Sequence, residues 1–306
     1  MTAFPAIPDE SFLYEPFTNL QERSSLQLTE DETALFRDRI LAYYASSARD
    51  FPWRTTSDPY HILLSEIMLQ QTQAERVLPK YLDFIDRWPG WSELAAAPFP
   101  EVLKAWKGLG YNRRAIALKE IALKVMQNYG GTLPEGEKDL RTLPMVGPAT
   151  AAAVMAFARQ KPALYLETNI RRVLIYYFFD GADGVHDREL YAVLEQVQDH
   201  RDPRRWYYAL MDYGVFLKSR IRNPNRRSAH YSRQQQFADS DRQVRGQILT
   251  VLTEQGAAAE SELLTRLPFP EEQVQRCLAA LVKERFLLAA DAFAAEKGPS
   301  YTISKL

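Results

Sequence analysis

Residues 141–170 read RTLPMVGPATAAAVMAFARQKPALYLETNI, and the reading of this stretch decides the fold. Leu143-Pro144-Met145-Val146-Gly147 is a tight turn, because Pro and Gly punctuate the chain there. A helix of small residues is expected from Ala149 to Ala158. Exposed backbone N–H groups at such a helix start can hold a phosphate, which makes Met145, Val146 and Gly147 candidate contacts to a nucleic-acid backbone. Glu167 follows about twenty positions after the turn, one short segment away, where an acid can reach the sugar of a nucleotide so held. An ordinary helix–helix turn would also carry Pro and Gly, so the hairpin gains its meaning only beside a second segment.

Composition sets the bounds. The 306 residues are enough for one large domain or two ordinary ones, and 46% hydrophobic content can fill real cores. No run of eighteen apolar residues exists, and the Pro-broken, acidic N-terminus lacks a signal pattern, so a cytoplasmic, soluble protein with no membrane role is expected. The single cysteine, Cys277, excludes internal disulfides and falls in a helical apolar pattern, as a buried structural thiol would. Four histidines (61, 186, 200 and 230) have no metal-ligand spacing, so no metal site is expected. Net charge is −1, yet residues 218–245 carry eight basic side chains against Asp239 and Asp241. Arg226 and Arg227 in that stretch are candidate phosphate contacts, with a solvated basic linker as the alternative.

Residues 1–30 lack periodicity and read as an N-terminal extension. Helical patterns then follow at 59–71, 74–86, 91–95, 99–106, 112–128, 136–142, 148–158, 167–179, 187–198 and 203–218, after a first helix that Thr29 would cap. Strand patterns are scarce there, so residues 31–222 read as an all-α domain. A polar, unperiodic stretch at 223–240 reads as a basic linker. Residues 241–306 offer helices at 241–254, 260–266 and 270–284 and a terminal hairpin, which suggests a small winged-helix-like α+β domain. Its third helix has few basic residues, which argues against a DNA-reading role for it.

The second segment is FPWRTTSDPYHILLSEIMLQQTQ (51–73). Glu66 sits among apolar Ile62, Leu63, Ile67 and Met68, where a partly buried carboxylate can serve as a proton donor. The polar cluster Gln70-Gln71-Thr72-Gln73 can hydrogen-bond unpaired base edges.

Together these segments resemble the helix-hairpin-helix DNA glycosylases, and within them the adenine DNA glycosylases of the MutY type. Pro52-Trp53-Arg54, Asp58-Pro59-Tyr60, SEIMLQQTQ (65–73), Trp106, GLGY (108–111), LPMVGPATAAAV (143–154), Asn169-x-x-Arg172-Val173 and Met211-Asp212-Tyr213-Gly214 carry the likeness, over about residues 31–222. The resemblance implies a two-lobed all-α fold, double-stranded DNA with a damaged or mismatched base as partner, a monomer, and rotation of the target nucleotide into a pocket between two helical subdomains. It implies that Glu66 protonates the departing base and that Glu167, at the family's aspartate position, stabilises the cationic sugar. Tyr111 matches the wedge that fills the stack. Gln70, Gln71 and Thr72 match the strand that probes the opposite base, and Arg54 matches a pocket residue. A monovalent cation on hairpin carbonyls is compatible with the resemblance.

The departures are informative. Position 167 is Glu rather than Asp, one methylene longer. Ala149 stands where lyase-type relatives carry a nucleophilic lysine, which predicts a glycosylase without lysine-dependent strand cleavage. The four-cysteine iron–sulfur segment is missing after Gly214, so no cofactor is expected. Tyr208 occupies the place of a base-contacting glutamine in the pocket, and residues 241–306 do not resemble the domain that recognises 8-oxoguanine. These last two leave the base open: adenine, uracil or thymine opposite guanine, hypoxanthine or a modified pyrimidine. A non-catalytic lesion binder remains the rival reading, and a sequence-specific regulator built on the winged helix a third.

Overall fold

The structure is a computed structural model that describes residues 15–232, 238–290 and 299–305. Fourteen α-helices are described: α1 (Glu30–Ser47), α2 (Pro59–Leu69), α3 (Ala74–Arg87), α4 (Trp91–Ala96), α5 (Phe99–Trp106), α6 (Arg113–Asn128), α7 (Glu137–Leu140), α8 (Pro148–Phe157), α9 (Thr168–Phe178), α10 (Asp187–Val197), α11 (Pro203–Arg220), α12 (Asp241–Gln255), α13 (Glu260–Arg266) and α14 (Glu271–Lys283). The expected helices agree with these to within a few residues at each end, because caps and Pro/Gly breaks mark them. Thr29 caps α1 in a full capping box with Glu32.

Three strands, β1 (Ala257–Ala259), β2 (Leu287–Ala290) and β3 (Ser300–Ile303), form one antiparallel sheet in the order β1-β3-β2. Leu287 pairs with Ile303 and Ala257 with Thr302. The sequence expected only the β2–β3 hairpin. β1 is three alanines, whose pattern carries no strand signal. No described helix is long and apolar enough to cross a membrane.

The described residues group into two compact units. One takes those of Met1–Ile62 and Val146–Arg233, the other those of Leu63–Met145 and Gln234–Leu306.

The first unit is built on α9 against α11. Phe36, Tyr177, Phe178, Trp206 and Tyr213 are buried together, and Phe17 packs its ring 5.0 Å from Tyr177. The described part of the N-terminal extension is therefore docked: Phe17 N–H donates to Tyr177 O, and Asn19 bridges to Phe179. The small residues of α8 lie buried, and its Phe157 stacks on Tyr208 of α11 at 4.5 Å. Residues after α11 also fold. Val185 N–H donates to Arg227 O, Val185 O accepts from Ala229 N–H, and the Asn225 side chain donates to Thr168 O at the head of α9. The stretch read as a linker from 223 is thus a strap through at least Tyr231. Its order comes from side-chain-to-backbone bonds of Asn223 and Asn225, which leave no periodic trace.

In the second unit two buried cations close helix ends. Lys119 Nζ donates to the carbonyls of Leu94, Ala95 and Ala97 at the end of α4, and burial lowers its pKa. Arg114 does the same for α2. The described residues of Gln234–Leu306 belong to this unit: α12 lies on α5, with the Phe286 and Phe99 rings 6.5 Å apart. Cys277 is buried as expected, and burial raises its thiol pKa.

Candidate active site

Glu167 is the residue before α9 and caps it with its own side chain. Oε1 accepts from the N–H groups of Asn169 (2.7 Å) and Ile170 (2.8 Å), and Oε2 accepts from Asn169 Nδ2 at 3.2 Å. The residue is half-buried. Burial raises its pKa above the ordinary carboxylate value, while the two amides and the charges of Arg172 and Arg171 pull it back.

The frame around Glu167 is tight. Arg172 Nη1 donates to Asn169 Oδ1 and to Gly214 O, each at 2.7 Å. A Cβ on Gly214 would stand 2.4 Å from Asn169 O, so only glycine lets α11 approach α9 this closely. The neighbouring motif residues are explained in the same way. Asp212, 1% exposed, accepts a bidentate pair from Arg54 (both 2.7 Å) and two more bonds from Arg49. Tyr213 Oη lies 2.5 Å from Tyr177 Oη.

Arg54 therefore anchors the Pro52–Arg54 turn to α11, with its guanidinium 4.6 Å from the Tyr208 ring. Tyr208 is itself buried between Phe157 and Arg54 and donates to Trp53 O. The two residues expected in a base pocket are brought together, in a packed stack.

Glu66 lies on α2, half-buried among buried Ser65, Ile67 and Met68. The turn after it is welded to the GLGY loop by a residue that sequence reasoning missed. Arg114, 1% exposed, donates through Nη1 to the carbonyls of Ile67, Met68 and Gln70, and through Nη2 to Thr72 Oγ1, Leu109 O and Gly110 O, at 2.6–3.0 Å. Burial pushes its pKa down to about 10. Thr72 Oγ1 also donates to Leu109 O at 3.2 Å. Gln70, Thr72 and Tyr111 are thus held in one local framework, with Gln71 exposed. The signal available in the sequence was an Arg113-Arg114 pair at the head of an Ala/Ile/Leu helix, of which the second falls among the apolar positions.

Backbone conformation marks the same residues. Six described non-glycine residues have left-handed φ, and three of them are Gln71 (56°), Tyr111 (47°) and Met145 (57°). In the hairpin Met145 is exposed and Val146 buried. Gly147 precedes α8 with no side-chain cap, and Pro148 fills the first helical position. The helix start is thereby left without a competing side-chain oxygen. Ala149 supplies no amine there.

Arg226 is exposed and Arg227 pairs with Asp180 at 3.3 Å. Both line an open cavity of about 520 Å³ with Arg222, Asp180, Asp183 and Tyr176. This region does not fit an iron–sulfur cluster: it offers guanidinium and amide groups, and the only thiol of the chain is Cys277 in α14. Among the described residues no group of three or more His, Cys, Asp or Glu could hold a metal ion.

Comparison with known proteins places this geometry. Residues 64–197 match the family described as HhH-GPD superfamily base excision DNA repair protein. The adenine DNA glycosylase of Mycolicibacterium smegmatis is 37% identical over 231 residues, covering 70% of this chain and 78% of that protein. The thymine/uracil-DNA glycosylase of Methanothermobacter thermautotrophicus is 34% identical over 62% of this chain and 87% of its own. The solved structure of a thermostable thymine-DNA glycosylase superposes with a TM-score of 0.57 at 34% identity, over 62% of this chain and 88% of that one.

The family match and the named relatives support a helix-hairpin-helix repair glycosylase, a hydrolase of N-glycosidic bonds in DNA. The MutY-type likeness carried by SEIMLQQTQ and GLGY is borne out by the relatives. The chain belongs to the HhH-GPD superfamily of base excision DNA repair proteins.

Proposed function

We propose that the chain is a monofunctional DNA glycosylase that excises a mismatched or damaged base from duplex DNA after rotating its nucleotide out of the stack. The hairpin at Met145–Gly147 holds the backbone, Tyr111 enters the stack, and Gln70, Gln71 and Thr72 probe the opposite strand. Glu66 delivers a proton to the departing base as the bond to C1′ breaks. The Glu167 carboxylate offsets the positive charge left on the sugar, and water then completes the hydrolysis. With Ala149 in place of an amine, no Schiff base forms and the strand stays intact. The observation that carries the reading is the half-buried Glu167 carboxylate, fixed by three hydrogen bonds at the head of α9. Low local dielectric strengthens its effect on a nearby cation.

The test is release of free base from duplexes carrying adenine opposite 8-oxoguanine, uracil or thymine opposite guanine, and hypoxanthine. Release by wild type and its loss in Glu66→Gln and Glu167→Gln are expected. Undiminished release by both variants overturns the assigned roles. One observation favours the rival reading of a non-catalytic lesion binder: both Glu167 oxygens are engaged by the start of their own helix. Tight lesion binding without release from any duplex would decide for it.

A further inference from the structure

The C-terminal residues of the second unit reach the loop that carries Tyr111. α12 is seated on α5, and Lys107, just beyond α5, pairs with Glu254 of α12 at 2.9 Å. From this seat Arg242, in the first turn of α12, donates through Nη1 to Tyr111 Oη at 2.9 Å. Its guanidinium carbon lies 5.7 Å from the ring centroid, and that of Arg114 lies at 5.6 Å. The neighbouring charges are accounted for. Arg245, one turn on, forms a bidentate pair with Glu284 at 2.6 and 2.8 Å, and Asp241 takes Arg276 at 2.9 Å. Arg113 is exposed at the start of α6, two residues from Tyr111.

We propose that Arg242 is a duplex-contacting residue whose guanidinium passes from the Tyr111 hydroxyl to a backbone phosphate beside the opened base pair. This assignment rests on the glycosylase reading, in which Tyr111 is the wedge. The hydroxyl is the leading edge of the ring, so entry into the base stack breaks the bond to Arg242 and moves the guanidinium aside, toward the strand being parted. The guanidinium is charged in either bond, but a phenol oxygen is a neutral acceptor whereas a phosphate offers charged oxygens that can take two parallel N–H bonds, so the exchange adds ion-pair attraction. The exchange is favourable once the backbone is within reach. The C-terminal residues then take part in lesion opening through one side chain of α12, without a helix in the major groove.

Binding of a fluorescein-labelled duplex by the full chain, measured by anisotropy across a salt series, tests the assignment. Arg242→Gln is expected to weaken binding several-fold and to reduce the slope of log Kd against log salt by about one, the signature of one lost phosphate contact. Arg242→Lys keeps the slope, which packing against Tyr111 alone would not predict. Arg242→Glu suits the first turn of a helix and reverses the charge, so it folds and weakens binding further. Wild-type affinity and slope in the Gln and Glu variants overturn the assignment alone. Failure of every form, wild type included, to bind duplex overturns the glycosylase reading beneath it.

Discussion

Gly214→Ala tests how closely the frame around Glu167 is specified. The added Cβ would stand 2.4 Å from Asn169 O and 2.7 Å from Asn169 Cβ. Both neighbours are fixed: the oxygen is main chain of α9, and Arg172 ties Asn169 to Gly214 O. Real contacts of this kind begin near 3 Å, so α9 and α11 must separate by roughly half an ångström or more. Overpacking of this kind costs about 1–3 kcal/mol. Asn169 supplies two of the three hydrogen bonds that hold Glu167, so the displacement reaches the carboxylate. Misplacement of a reacting group by ~1 Å lowers rates about 100-fold. Gly246→Ala is the matched control, because its Cβ meets nothing within 4 Å and it lies inside α12. There the substitution should stabilise by about 0.5–1 kcal/mol through helix propensity. Denaturant melts and single-turnover base release, run on both variants with the lesion that wild type processes, give the comparison. A Gly214→Ala protein that melts and cleaves like wild type would refute the reasoning.

Gly147→Ala should leave the melting temperature unchanged, since nothing lies within 4 Å of its Cβ, yet weaken duplex binding several-fold if a phosphate sits on the α8 amides; unchanged binding argues against that seat. Because burial raises the folded-state pKa of Glu167, folding takes up a proton between the ordinary carboxylate value and the raised one, and stability falls as pH rises through that window. Glu167→Gln should therefore lose base release while matching or exceeding wild-type stability at neutral pH, and flatten that slope; a pH-stability curve identical to wild type counts against it. Arg114→Met should cost about 2–4 kcal/mol and expose the amides of 67–72 and 109–112 to hydrogen exchange, and wild-type protection there would show that the guanidinium does not hold the two loops. Asp212→Asn leaves the largely buried Arg54 and the half-buried Arg49 without a full counter-charge and should cost about 3–5 kcal/mol in denaturant melts; a loss under 1 kcal/mol would contradict the network.

The helices were legible because their ends are written locally: Thr29 with Glu32, Gly147 with Pro148, Asp202 with Pro203. Glu167 was legible as an acid of the right spacing, and its capping geometry was not, since a glutamate before a helix has several ways to point. Arg54 and Tyr208 illustrate the harder case. The sequence marked both as pocket residues, but the partner that determines what Arg54 does is Asp212, 158 positions away. Arg114 reads as a surface charge until the carbonyls of two separate loops converge on it. The strap at 223–231 and the three-alanine strand escaped for a related reason. Both are ordered by distant backbone, with no periodicity of their own.

Each unit is assembled from two separate segments of the chain, which crosses between units at 62–63, at 145–146 and at 233–234. During synthesis the first unit cannot close before residue 233 leaves the ribosome, and the second waits for residues beyond 233. A nascent chain halted near 145 therefore carries one segment of each unit and completes neither, so the apolar faces that meet between the two segments of a unit still lack their cover at that point.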